Sequence, residues 1–126
     1  MTVARTSALD DLSASTAAAV ERFNSAFNRH DVDGVMAAMT DDCVFENTGP
    51  APDGERYSGA AAVRAFWMRF FDSNPLANFA SEEQFTAGDR SVVRWRYDWG
   101  SGHVRGVDIF RVRDGRVSEK LCYVKG

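Results

Sequence analysis

Two strand-forming segments near the C-terminus gather the side chains with the most chemical potential. Val92-Val93-Arg94-Trp95-Arg96-Tyr97-Asp98-Trp99 alternates sharply. Arg94, Arg96 and Asp98 point one way, and Val93, Trp95, Tyr97 and Trp99 the other. In the next segment, Val104-Arg105-Gly106-Val107-Asp108-Ile109-Phe110, one side carries Gly106, Asp108 and Phe110 and the other Arg105, Val107 and Ile109. A carboxylate can take up or deliver a proton, and a guanidinium can steady a developing negative charge. Asp108, Asp98 and Arg96 are therefore the candidate catalytic residues for acid–base chemistry, with Arg94 as a candidate ligand contact. If the hairpin pairs even positions with even positions, Arg94 or Arg96 lies across from or diagonal to Asp108, and Asp98 shares that face. Two orientations stay open. In one, the charged row faces water over a core of Trp95, Tyr97 and Trp99, as in an ordinary one-sided sheet. In the other, the charged row looks into a site; Phe110 beside Asp108 speaks for this, because a solvated face has little use for Phe. Asp108 could equally be a structural carboxylate bonded to Arg94 or Arg96.

Further candidates lie upstream. Asn47 ends a short strand, Cys43-Val44-Phe45-Glu46-Asn47, and can hydrogen-bond either ligand or backbone. The turn-rich stretch Thr48-Gly49-Pro50-Ala51-Pro52-Asp53-Gly54 follows as a candidate rim, and Tyr57 beyond it offers a hydroxyl. Phe23, Phe27 and Phe66 are core residues by type that can also touch a ligand. His30 and His103 alone cannot build a metal centre, and Cys43 and Cys122 are too few and too far apart for a zinc site or a disulfide framework. No metal and no cofactor is expected, and two reduced, buried thiols fit a cytoplasmic protein.

The elements that must position these residues read as follows. Residues 1–14 form a flexible lead-in and 15–126 a single domain. Val20, Phe23 and Phe27 recur at helical spacing. Asp31 is placed to cap a second helix bearing Val32, Val35, Met36 and Met39, which Asp41-Asp42 ends. Ser58 can cap a third helix with Val63, Phe66, Trp67 and Phe70 on one face, ended by Pro75. From Leu76 the period becomes two, with hairpin turns at Ala87-Gly88-Asp89, Gly100-Ser101-Gly102 and Asp114-Gly115. Helices bunched first and an antiparallel meander after them imply an α+β fold. Its curved antiparallel or mixed sheet carries three helices on the concave face, and one central pocket lies between them.

Bulk properties narrow the function. A chain of 126 residues, 44% hydrophobic and 26% charged, makes one globular domain. A formal charge of −3 argues against a nucleic-acid partner. No apolar stretch is long enough to span a bilayer, so no membrane partner is expected, and the N-terminus lacks the apolar run of a signal peptide.

Four pieces in order give a resemblance. They are Phe23-Asn24-Ser25-Ala26-Phe27-Asn28-Arg29-His30-Asp31, Met39-Thr40-Asp41-Asp42-Cys43-Val44-Phe45-Glu46, Tyr57-Ser58-Gly59 before a helix, and the run Val107 to Val117. Together they resemble the nuclear transport factor 2-like superfamily, in particular its SnoaL-like branch. That superfamily includes ketosteroid isomerases, polyketide cyclases, limonene-type epoxide hydrolases and non-catalytic binders, so fold membership alone does not give function. The resemblance puts Asp108 where ketosteroid isomerases keep a protonated pocket aspartic acid. Asn47 stands at the position of the isomerase base and Phe23 at that of its tyrosine, which speaks against steroid isomerisation by that route. Arg96 and Asp98 are similar to the epoxide hydrolase arginine and aspartate, with Asn47 matching its asparagine. Cys122 and Phe45 stand in for that family's second aspartate and its tyrosine. The resemblance also implies that the even face lines the cavity. Trp95, Tyr97 and Trp99 would then form an exposed patch covered by a second copy, a homodimer through that sheet face.

Three functions follow. The first is a cofactor-independent isomerase, cyclase, dehydratase or hydrolase acting on a small apolar or aromatic molecule. The second is a binding protein for such a molecule that does no chemistry. The third, a protein-association module, would have its pocket collapsed and filled by side chains.

Overall fold

A computed structural model describes residues 7–126. Helix α1 spans Ser7–Asn28 and buries Thr16, Ala19, Val20, Phe23, Ala26 and Phe27, one stripe at helical spacing. It starts well before residue 15, so residues 7–14 of the expected lead-in are helical; residues 1–6 lie outside the described residues. The Ala-rich run through Ala17-Ala18-Ala19 favours helix. The Ser13 hydroxyl ties this end of α1 to the sheet by accepting from the Gly88 N–H at 2.9 Å.

Helix α2, Val32–Ala37, is capped by Asp31, whose carboxylate accepts from the Gly34 N–H at 3.0 Å. It ends earlier than the apolar stripe suggests. Met39 already belongs to β1, Met39–Glu46, and Asp41-Asp42 lie inside that strand rather than after the helix. Strand β2, Arg56–Ser58, pairs antiparallel with β1. Helix α3, Ala60–Ser73, buries Val63, Trp67 and Phe71. Its N-cap is Gly59 rather than Ser58, because Ser58 is engaged opposite Val44 and the chain turns at Gly59 with φ 89°. Strands β3 (Asn78–Ala87), β4 (Arg90–Asp98), β5 (His103–Arg113) and β6 (Arg116–Val124) form the meander.

The six strands make one open sheet in the order β2-β1-β6-β5-β4-β3. β1 and β6 run parallel and every other neighbouring pair is antiparallel. The register shifts between Met39 and Val44, between Ser81 and Glu83, and between Arg111 and Val112. Such irregularities bend strands and increase twist, so the sheet curls. The helices pack into the concave side through Phe23, Phe27, Phe45, Trp67, Phe71 and Phe110.

Candidate functional site

The β4–β5 hairpin decides what faces the helices. Asp98 pairs with His103, leaving a connection from Trp99 to Gly102 closed by the Trp99 N–H donating to the Gly102 carbonyl at 3.1 Å. Odd positions therefore oppose even ones: Val93 faces Asp108, Trp95 faces Gly106 and Tyr97 faces Val104. The even-to-even pairing fails because Trp99 belongs to the turn and not to the strand. One residue of slip moves a whole side-chain row to the other face. Asp108 thus sits beneath the helices with Val93, Trp95 and Tyr97. Arg94, Arg96 and Asp98 lie on the opposite, convex face.

On that convex face Arg94 pairs with Glu83 at 3.0 Å, and Arg96 pairs with Asp98 at 3.1 Å with both side chains more than a third exposed. The Gly100 N–H and the Arg96 guanidinium hold the Asp98 carboxyl below its ordinary range. The three residues are placed for surface ion pairing, and none meets Asp108. The aromatic row expected to lie under a second copy lines the cavity instead: Trp95 is 5% exposed and packs on Phe79 with ring centroids 5.2 Å apart.

The cavity holds about 400 Å³ and opens between α3 and the far ends of β4 and β6. Its walls are aromatic, with Phe27, Phe45, Phe66, Phe70, Phe79 and the indoles of Trp67, Trp95 and Trp99. At the mouth, the Tyr97 hydroxyl donates to Asn74 Oδ1 at 3.2 Å. Asn47 and Thr48 are on the rim, and Asn47 Oδ1 accepts from the Thr48 N–H at 2.8 Å. Of the other expected contacts, Phe27 and Phe66 line the cavity. Phe23 sits deeper, fully buried against Phe27, Trp67 and Phe110. Tyr57 lies behind the wall, stacked on Phe45 at 6.0 Å.

The floor carries a group that the alternation of β6 conceals. Lys120 is 6% exposed and Asp108 5%. Lys120 Nζ stands 3.5 Å from Asp108 Oδ2 and donates to Cys122 Sγ at 3.1 Å. The rings of Phe45, Trp67, Phe27 and Phe23 surround the ammonium, with centroids 5.1, 5.3, 5.4 and 5.9 Å away. Burial pulls the Lys120 ammonium down, but the Asp108 carboxylate and the Cys122 sulfur more than offset it, so its pKa lies above the usual 10.5. Burial and then the Asp108 charge push the Cys122 thiol far above its usual 9.0, so it stays protonated at neutral pH. Asp108 Oδ1 and the indole nitrogens of Trp67 and Trp95 are buried without a hydrogen-bond partner. A side chamber of about 20 Å³, lined in part by Asn24, Asn28, Ser81 and Asp108, adjoins the pair and has room for one water.

Asp108 is thus half of an ion pair, unlike the neutral acid in apolar surroundings that the isomerase resemblance implies. Among the described residues no three His, Cys, Asp or Glu side chains come together to hold a metal, and no helix is long and apolar enough to cross a membrane.

Comparison with known proteins fixes the family. The family model described as "SnoaL-like domain" matches residues 20–120. The chain is a SnoaL-like domain. A nuclear transport factor 2-like protein of unknown function from Mesorhizobium loti is 44% identical to it with a TM-score of 0.81, over 90% of this chain and 93% of that one. A candidate ketosteroid isomerase from Kribbella flavida shares the fold at 18% identity and a TM-score of 0.78, covering 90% and 80% of the two chains. A candidate polyketide cyclase from Sinorhizobium meliloti shares it at 22% identity and a TM-score of 0.68, covering 82% and 92%. No curated protein matches this SnoaL-like domain.

Proposed function

We propose that this SnoaL-like domain is a cofactor-independent acid–base enzyme acting on a small aromatic or conjugated molecule, with Asp108 as the base and Lys120 as the oxyanion partner. The observation that carries the reading is the buried Asp108–Lys120 pair on the floor of an otherwise aromatic cavity, with Asp108 Oδ1 unpartnered. A substrate carbonyl placed against Lys120 Nζ presents an adjacent C–H to Asp108. The carboxylate takes that proton, the C–H electron pair moves into a new C=C bond, and the carbonyl oxygen becomes an enolate oxygen beside the ammonium. Returning the proton to another carbon isomerises the substrate. Attack of the enolate carbon on a second carbonyl of the same molecule forms a C–C bond and closes a ring, and the proton held by Asp108 passes to the new alkoxide oxygen. A positioned base contributes about 10²–10⁴-fold, and one oxyanion donor in a dry site about 10²–10³-fold.

The alternative is a ligand carrier without turnover. It is favoured by the mutual neutralisation of Asp108 and Lys120, by Cys122 held as a thiol, and by an amide at Asn47.

Solvent deuterium exchange into an enolisable bicyclic ketone, 2-tetralone, followed by NMR, separates the two. The wild-type protein is expected to exceed buffer-catalysed exchange. Asp108→Asn should lose about 100-fold or more of that excess, whereas Asp98→Asn, altered on the convex face, should keep it. Equal exchange by wild type and Asp108→Asn would remove the catalytic reading and leave the carrier.

A further inference from the structure

We propose that the cavity selects an uncharged, flat molecule whose polar head is a hydroxyl seated between Asp108 Oδ1 and Lys120 Nζ. This rests on the reading of the cavity as a small-molecule site and names what that site takes. In the proposed reaction the seated hydroxyl corresponds to the enol oxygen, which stays on Lys120 Nζ where the carbonyl was and turns its O–H to Asp108.

The floor sets the head group. An ammonium has three N–H donors; two are accounted for by Cys122 Sγ at 3.1 Å and Asp108 Oδ2 at 3.5 Å, and no further protein acceptor meets the third among the described residues. Asp108 Oδ1 is an acceptor with no donor. An acceptor and a donor, side by side on one ion pair, are both met by one oxygen that gives one hydrogen bond and takes one. A hydroxyl does this; an ether or an ammonium does half of it.

Charge is set by the same pair. Asp108 and Lys120 sum to zero inside aromatic walls, where an added charge finds no counter-ion and loses its water. A carboxylate head meets Asp108 as a like charge, and an ammonium head meets Lys120 in the same way. The walls select shape: Phe27, Phe45, Phe66, Phe70 and three indoles offer ring faces and edges, which pack best against a flat π system.

The test is calorimetric titration at pH 7 with three probes on one skeleton: 2-naphthylmethanol, 2-naphthoate and 2-naphthylmethylammonium. The alcohol should bind wild-type protein at least about tenfold more tightly than either ion, the scale of one lost charge-assisted hydrogen bond. In Asp108→Asn the lone Lys120 cation remains, and 2-naphthoate should overtake the alcohol. A wild-type preference for either ion overturns the proposal while leaving acid–base catalysis, judged by deuterium exchange, intact. Alcohol preference without exchange supports the proposal and removes the catalysis. Failure of all three probes to bind overturns it together with the reading of the cavity as a ligand site.

Discussion

Lys120 occupies a position that lysine rarely takes, because burying an ammonium is costly unless it is paired. Here Asp108, Cys122 and four aromatic rings supply the pairing. Removing one partner should therefore cost more than removing both. Lys120→Met leaves a buried carboxylate and is expected to lose about 3–5 kcal/mol in urea unfolding, whereas Lys120→Met with Asp108→Leu should recover most of that loss or exceed wild type. Equal losses in the single and double variants would show that the pair contributes nothing through its charges. The pair also dictates a direction with pH. Its folded-state lysine pKa is raised above 10.5, so the stabilisation is fully present below that value and is lost as pH rises through the raised one. Thermal melts above pH 10.5 should fall more steeply in wild type than in the double variant. None of this was legible from β6. Val112 pairs with Val117 but Arg111 pairs with Glu119, so Ser118 is an extra residue that reverses the alternation and turns Lys120 and Cys122 inward. Counted from Val117 without that bulge, Lys120 reads as a surface lysine.

At the scale of the element, the β4–β5 hairpin shows what alternation can and cannot tell. The two rows of β4 and of β5, the three helices, the first short strand and the final four-strand meander were legible because each rests on local periodicity. The relative register of the strands was not, because it depends on whether Trp99 belongs to strand or turn, and a tryptophan next to glycine signals neither. Asp108 was found on its own strand's apolar company, Gly106 and Phe110, whereas Arg96 and Asp98 were linked to it through the wrong register. Gly106 holds the corrected arrangement in place. A Cβ there would stand 2.5 Å from Trp95 Cζ2 and 2.7 Å from Cη2, with the Tyr123 carbonyl oxygen closer still. The bare backbone is what lets the Trp95 indole lie flat across β5 as cavity wall. Gly106→Ala should lower stability by about 1–3 kcal/mol through overpacking. It should also tilt Trp95 into the cavity, so that near-ultraviolet dichroism changes and 2-naphthylmethanol binds more weakly. A variant with wild-type stability and dichroism would show that the ring does not depend on that glycine.

For the whole molecule, turning the hairpin over moves the case for self-association to the other face of the sheet. Trp95 is buried in the cavity wall and Tyr97 turns the same way, while Trp99 at the mouth is 44% exposed, so the row expected to meet a second copy is mostly turned inward. The convex face instead presents Val92, Val107, Ile109 and Leu121, half-buried along neighbouring strands, with Phe85 and Tyr123 exposed beside them. Around this strip run charges of both signs in close pairs: Arg94 with Glu83, Arg105 with Glu82, and Arg111 with Asp89 and Glu119. A two-fold axis through such a surface brings apolar strip onto apolar strip and can exchange ion-pair partners between copies without a net like-charge clash. We therefore expect twice the chain mass by light scattering on a sizing column at tens of micromolar. Val92→Arg with Ile109→Arg should yield a folded monomer, because both side chains point away from the cavity and their loss removes no helix contact. The paired variant should keep its affinity for 2-naphthylmethanol, since the cavity is complete within one chain. A wild-type monomer at that concentration would mean that the strip is no more than the apolar surface any small domain leaves in water.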